Sequence, residues 1–93
     1  QAYYYRAGMR QGLGNLIGAS DDLNRCIALD PVFPFSYFKR AYVRGKMGDF
    51  RGAIRDLEYY LELPVGATRN RFVMENIAAY WYRLSTRADV EVS

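Results

Sequence analysis

The apolar positions of this chain recur at helical spacing in successive blocks. Tyr3, Ala7 and Arg10 stand four and three residues apart, which predicts a helix over residues 2–13. Leu16, Ala19, Leu23, Cys26 and Ile27 mark the apolar stripe of a second helix that runs to about Leu29. Gly14-Asn15 separates the two, with Asn15 placed to cap the second helix through its side-chain oxygen. Asp30-Pro31 stops that helix, and Phe33-Pro34 opens a third, with the proline in its first turn. Gly48-Asp49 forms the next break, with Asp49 as the next cap. Phe50, Ala53, Ile54, Leu57 and Leu61 then define a fourth helix, which Pro64-Val65-Gly66 closes. Val73, Ile77, Tyr80, Trp81 and Leu84 sit at i, i+4, i+7, i+8 and i+11, so a long amphipathic helix is expected over about residues 68–87, with Thr68 as its N-cap. The class is all-α.

The blocks repeat. At a shift of 34 residues Tyr3 meets Tyr37, Arg6 meets Arg40, Ala7 meets Ala41 and Arg10 meets Arg44. Gly14 meets Gly48, Gly18 meets Gly52, Ala19 meets Ala53, Asp22 meets Asp56, Leu23 meets Leu57 and Leu29 meets Leu63. One deleted residue then aligns Pro31 with Pro64. Such self-similarity marks a tandem array of helical hairpins. One domain over residues 1–87 follows, with a first copy at 1–33, a second at 34–66 and an end helix at 67–87. Arg69, Arg71, Glu75, Asn76 and Arg83 give that helix a polar outer face, as the end of an array requires. Residues 88–93 are expected to fray. The chain opens on Gln1 rather than Met, so a fragment or processed product is expected.

The period, the small residues Ala7, Ala41, Ala19 and Ala53, the turn glycines Gly14 and Gly48, and the closing prolines together resemble the tetratricopeptide repeat. The likeness covers about residues 1–66, and residues 67–87 are similar to that family's solvating end helix. It implies a right-handed superhelix of two helix-turn-helix repeats plus a C-terminal capping helix, with the first helix of each hairpin lining a concave groove. Two departures stand out: four glycines in the first copy (Gly8, Gly12, Gly14, Gly18) and the residue lost before Pro64. A helical glycine costs about 1 kcal/mol relative to alanine, so the first helix should be the loosest.

Composition narrows the chemistry. The sequence has no histidine and a single cysteine, Cys26, so no internal disulfide can form and the commonest general base and metal ligand are missing. Cys26, at a small packed helix position, reads as a buried structural thiol. Asp21, Asp22, Asp56, Glu58 and Glu62 are spread along the second helices without a nucleophile and base beside them, so neither catalysis nor a cofactor is expected. The net charge of +3 comes without any run of like charges, and no apolar run reaches the ~20 residues of a membrane span.

Arg6 and Arg40 are each followed sixteen residues later by an aspartate, Asp22 and Asp56. An antiparallel hairpin brings those positions together, which predicts structural ion pairs. Arg10 and Arg44 recur without an evident partner, and a solvated, groove-edge or anion-binding role stays open for them. The function expected is non-catalytic: a scaffold that holds a peptide or partner helix of another protein. The helix phase set by Ala7 and Ala41 directs Tyr4, Tyr5, Gly8 and Gln11 to the groove, joined by Phe35, Phe38, Lys39, Tyr42 and Lys46. Where the family's clamp for acidic C-termini needs Lys and Asn, this chain has Tyr4 and Gly8, which argues against that mode. The remaining surface is an aromatic trough rimmed by Lys39 and Lys46, suited to apolar anchors with a few acidic residues. The competing structural reading is that these aromatics only pack the hairpins together. The alternative function is an RNA-binding repeat module that uses the arginines and aromatics. Tyr3, Tyr4 and Tyr5 open the first helix without a polar cap before them, so this N-terminal edge is expected to be covered by an upstream repeat or, in isolation, by a second copy of the chain.

Overall fold

The computed structural model describes residues 2–64 and 70–92, and side chains as far as Thr86. Five helices follow in order: α1 (Ala2–Gly12), α2 (Leu16–Leu29), α3 (Pro34–Lys46), α4 (Phe50–Glu62) and α5 (Asn70–Val92). Among the described residues there is no strand. The closing Val65-Gly66 and the Thr68 cap lie outside the described residues, as does Arg69 of the expected polar face.

The two hairpins are built by the same local chemistry. Gly14 and Gly48 take φ of 84° and 87°, the left-handed region that a side chain makes costly. That twist returns the chain so that the Asn15 amide donates to the Arg10 carbonyl at 2.7 Å and the Asp49 amide to the Arg44 carbonyl at 2.8 Å. Asn15 and Asp49 then cap α2 and α4, their Oδ1 atoms accepting from the Gly18 and Gly52 amides at 3.0 Å. A Cβ on Gly18 or Gly52 would collide with the capping side chain itself. The recurrence of these two glycines therefore belongs to the cap.

Packing proceeds from each hairpin outward. α1 lies on α2 and α3 on α4, while α2 meets α3 and α4 meets α5. Ala7, Ala19, Leu23 and Val43 form one buried cluster, so Val43 of the second hairpin is keyed into the first. Tyr37, Ala41, Ala53, Ile54, Leu57, Tyr60, Val73 and Ile77 form the larger one, which α5 completes. Two polar bonds also join the hairpins: Tyr37 Oη donates to the Pro31 carbonyl at 2.7 Å, and Arg40 Nη1 to Asn24 Oδ1 at 3.0 Å. The row of helices measures 45 × 30 × 19 Å.

Two details of α5 differ from expectation. The helix continues through Val92 rather than ending near residue 87, since no glycine or proline interrupts 88–92 and each added residue gains a backbone bond. Trp81 was expected in the core with Val73, Ile77, Tyr80 and Leu84, yet it remains 49% exposed. It stands instead beside a shallow depression lined by Arg51, Ile54, Arg55 and Glu58. The ring lies at the margin of the stripe, where an indole can keep its edge in water.

Candidate functional site

α1 and α3 contain no aspartate or glutamate within their helical spans, so their shared face is formed from aromatic, small and cationic side chains. Tyr4, Gln11, Phe35, Phe38, Lys39 and Tyr42 line a groove of about 460 Å³ between them. Lys39 reaches across from α3 and places Nζ 4.9 Å from the centroid of the Tyr4 ring, a cation–π contact. A Cβ on Gly8 would touch that ammonium group at 3.4 Å, so a long side chain at Gly8 would displace it.

The groove walls are held by their neighbours. Tyr4 meets Phe33 edge to face at 5.5 Å, and Phe33 meets Phe35 at 5.7 Å. Phe38 stands 5.4 Å from Tyr60 and stacks on Phe72 at 6.0 Å. Phe38 is therefore a wall with a structural duty, whereas Tyr42 and Phe35 leave substantial ring surface in solvent. Burial raises the Tyr4 hydroxyl above its usual pKa.

Two residues expected in the groove stand elsewhere. Tyr5 is 69% exposed and makes an edge contact with Tyr4 at 5.6 Å, because one further residue along α1 turns it by about 100° from the groove wall. Lys46 lies one compartment further on. It lines a depression of about 320 Å³ with Tyr42, Gly45, Phe50, Ala79, Tyr80 and Arg83. The sequence reading did not include Gly45, Tyr80 or Arg83 in the site. The available signal was Gly45 itself, a costly residue inside a helix where the first copy has Gln11. A Cβ there would overlap the Tyr80 ring.

The arginines belong to a different construction. Arg6 grips Asp22 through Nε to Oδ2 at 3.0 Å and Nη2 to Oδ1 at 2.7 Å. Arg40 grips Asp56 through Nε to Oδ2 at 2.9 Å and Nη2 to Oδ1 at 2.7 Å. Both carboxylates are buried. Arg10 and Arg44, expected to be without partners, join them: Arg10 Nη1 lies 3.3 Å from Asp22 Oδ2, and Arg44 Nη1 lies 2.9 Å from Asp56 Oδ2. A carboxylate has about four lone-pair sites, so one aspartate can serve arginines on successive turns. Arg25 adds a third cation to Asp22 at 3.3 Å. Hydrogen bonding from Arg6 dominates the cost of burial and holds the Asp22 carboxyl below its ordinary pKa.

Cys26 is buried, and burial pushes its thiol pKa up. Among the described residues no three metal-ligating side chains cluster, and no helix is long and apolar enough to cross a membrane. No protein-family model matches the chain, and a comparison with curated proteins returns no match.

Proposed function

We propose that this chain is a tetratricopeptide-like repeat scaffold, a right-handed stack whose α1–α3 groove holds a segment of another protein. The single observation that carries the reading is convergence. Tyr4, Gln11, Phe35, Phe38, Lys39 and Tyr42, chosen from helix phase, line one groove. Solvent-facing aromatic rings around a cation suit apolar anchors accompanied by acidic residues. The Arg–Asp clamps that tie α1 to α2 and α3 to α4 favour a preformed surface, which reduces the ordering cost of binding.

Phe35→Ala with Tyr42→Ala tests this better than any variant of Phe38, because those two rings leave less behind in the core. Peptides selected from a random display library on the intact chain should lose about tenfold or more in affinity for the double variant, a loss of 1.4 kcal/mol or more. The thermal melt should be nearly unchanged. Selected peptides that bind both proteins equally would contradict the groove. A uridine oligomer that binds more tightly than every selected peptide, with affinity falling steeply between about 50 and 200 mM salt, would favour RNA.

A further inference from the structure

We propose that the recognition strip continues across Tyr42 onto α5, and that its occupant is an extended acidic peptide contacting Lys39, Lys46 and Arg83. The proposal rests on the groove reading and adds the α5 half, the charge of the partner and its spacing. Tyr42 lines both the α1–α3 groove and the depression beside α5, so the two compartments share a wall. The second exists because Gly45 lets Tyr80 approach the backbone of α3, while Tyr80 stacks on Phe50 at 5.8 Å. Its floor is thus aromatic, like that of the first.

The charges select the ligand. Arg6, Arg10, Arg25, Arg40, Arg44 and Arg71 each have a carboxylate within ion-pair distance. Five cations have none among the described residues: Arg51 and Arg55 stand with Glu58 at the separate Trp81 depression, whereas Lys39, Lys46 and Arg83 all line the strip. Each sits over an aromatic ring: Lys39 over Tyr4, Lys46 over Tyr42 at 5.5 Å and Arg83 over Phe50 at 5.6 Å. One face of each ring is therefore already covered by a cation, which disfavours stacking of nucleobases there. Lys46 and Arg83 are exposed and Lys39 is half-exposed, which leaves each accessible to a carboxylate.

Geometry sets the spacing. Lys39 and Lys46 are two turns apart on α3, a rise of about 10 Å. A polyproline II chain, with three residues per turn and a rise of about 3.1 Å per residue, covers about 9 Å in three residues and returns to the same face. Acidic residues at i and i+3, with an apolar residue between them, match the strip.

The test uses the intact chain and a fluorescein-labelled octapeptide carrying Glu at i, i+3 and i+6 with Phe between. Fluorescence anisotropy should show saturable binding, at least tenfold tighter than for the same peptide with Lys in place of Glu. Lys46→Glu and Arg83→Glu should each weaken it by about tenfold, and Tyr80→Ala by a similar factor. Lys46→Glu and Arg83→Glu should retain the wild-type melt, since neither cation holds a carboxylate among the described residues. If Phe35→Ala with Tyr42→Ala abolishes binding while Lys46→Glu, Arg83→Glu and Tyr80→Ala leave it intact, the groove stands and the extension onto α5 is overturned. Absence of Glu-peptide binding at millimolar concentration, equal binding of the Lys peptide, or tighter binding of a uridine octamer overturns the acidic-peptide proposal. The display-selected peptides then judge the groove separately.

Discussion

The first and second hairpins share their turns, caps and arginine clamps, yet they live in different surroundings. Val43 is fully buried against the first hairpin, while Met9, its equivalent 34 residues earlier, is 69% exposed. Ser36 is buried and its equivalent Ala2 is exposed. The second hairpin is packed between α2 and α5, whereas the first has a packed neighbour only on its α3 side among the described residues. Matching turn and clamp positions therefore produce matching local geometry, and neighbours decide how much burial stabilises it. The stability of this chain should rise from α1 toward α4, and four perturbations test or sharpen that gradient.

Removal of α5 should have the largest effect. Deleting residues 68–93 uncovers the cluster around Leu57 and Tyr60, and the truncated chain should aggregate or lose its cooperative melt in circular dichroism. A soluble, sharply melting truncation would make α5 an independent arm rather than part of the core.

Next come the clamps. Asp56→Ala strands Arg40 and Arg44 in the better-packed hairpin and should cost about 3–5 kcal/mol in urea unfolding. Asp22→Ala should cost less, because its arginines retain more access to water. Equal losses would erase the distinction between the hairpins.

Another contrast concerns the faces each hairpin turns toward its neighbour. Val43→Glu should unfold the chain, whereas Met9→Glu should change stability by no more than about 0.5 kcal/mol. Met9, Leu13 and Ile17 present an exposed apolar surface on the first hairpin. Sedimentation should accordingly reveal concentration-dependent self-association of the wild type that Met9→Glu suppresses. A monomer at high concentration would leave that face without a role in assembly.

Acid provides the gentlest probe. Because Arg6 lowers the pKa of Asp22 in the folded state, this carboxylate contributes stability that is fully present above the ordinary aspartate value of about 3.9. That contribution is lost as pH falls through the lower folded-state value. Asp22→Asn should flatten the part of the stability–pH curve that lies below about pH 4. An unaltered acid limb would assign the transition to other carboxylates.

The elements legible in the sequence were those encoded within one hairpin. Helix period, the Gly-Asn and Gly-Asp breaks and the sixteen-residue Arg–Asp offset all depend on neighbours close in the hairpin, so spacing suffices to place them. What escaped needs more than spacing to place. Arg10 and Arg44 looked unpartnered because their aspartates were already assigned to Arg6 and Arg40, although a buried carboxylate accepts several donors. The phase set by Ala7 directed Tyr5 to the groove along with Tyr4, but a single helical step rotates a side chain off a face. Lys46 falls in the second compartment, whose floor Tyr80 forms from a helix with no counterpart in either hairpin. Gly45 recorded that approach as a missing side chain, a signal readable only once the facing residue is known.

The central claim, a recognition strip running from the α1–α3 groove onto α5, is tested most directly by amide chemical-shift mapping with the Glu-bearing octapeptide. The account predicts perturbations that cluster at Tyr4, Phe35, Lys39, Tyr42, Lys46, Tyr80 and Arg83, with α2 and α4 largely unmoved. Shifts concentrated on the outward faces of α2 and α4, or no shifts at saturating peptide, would contradict it.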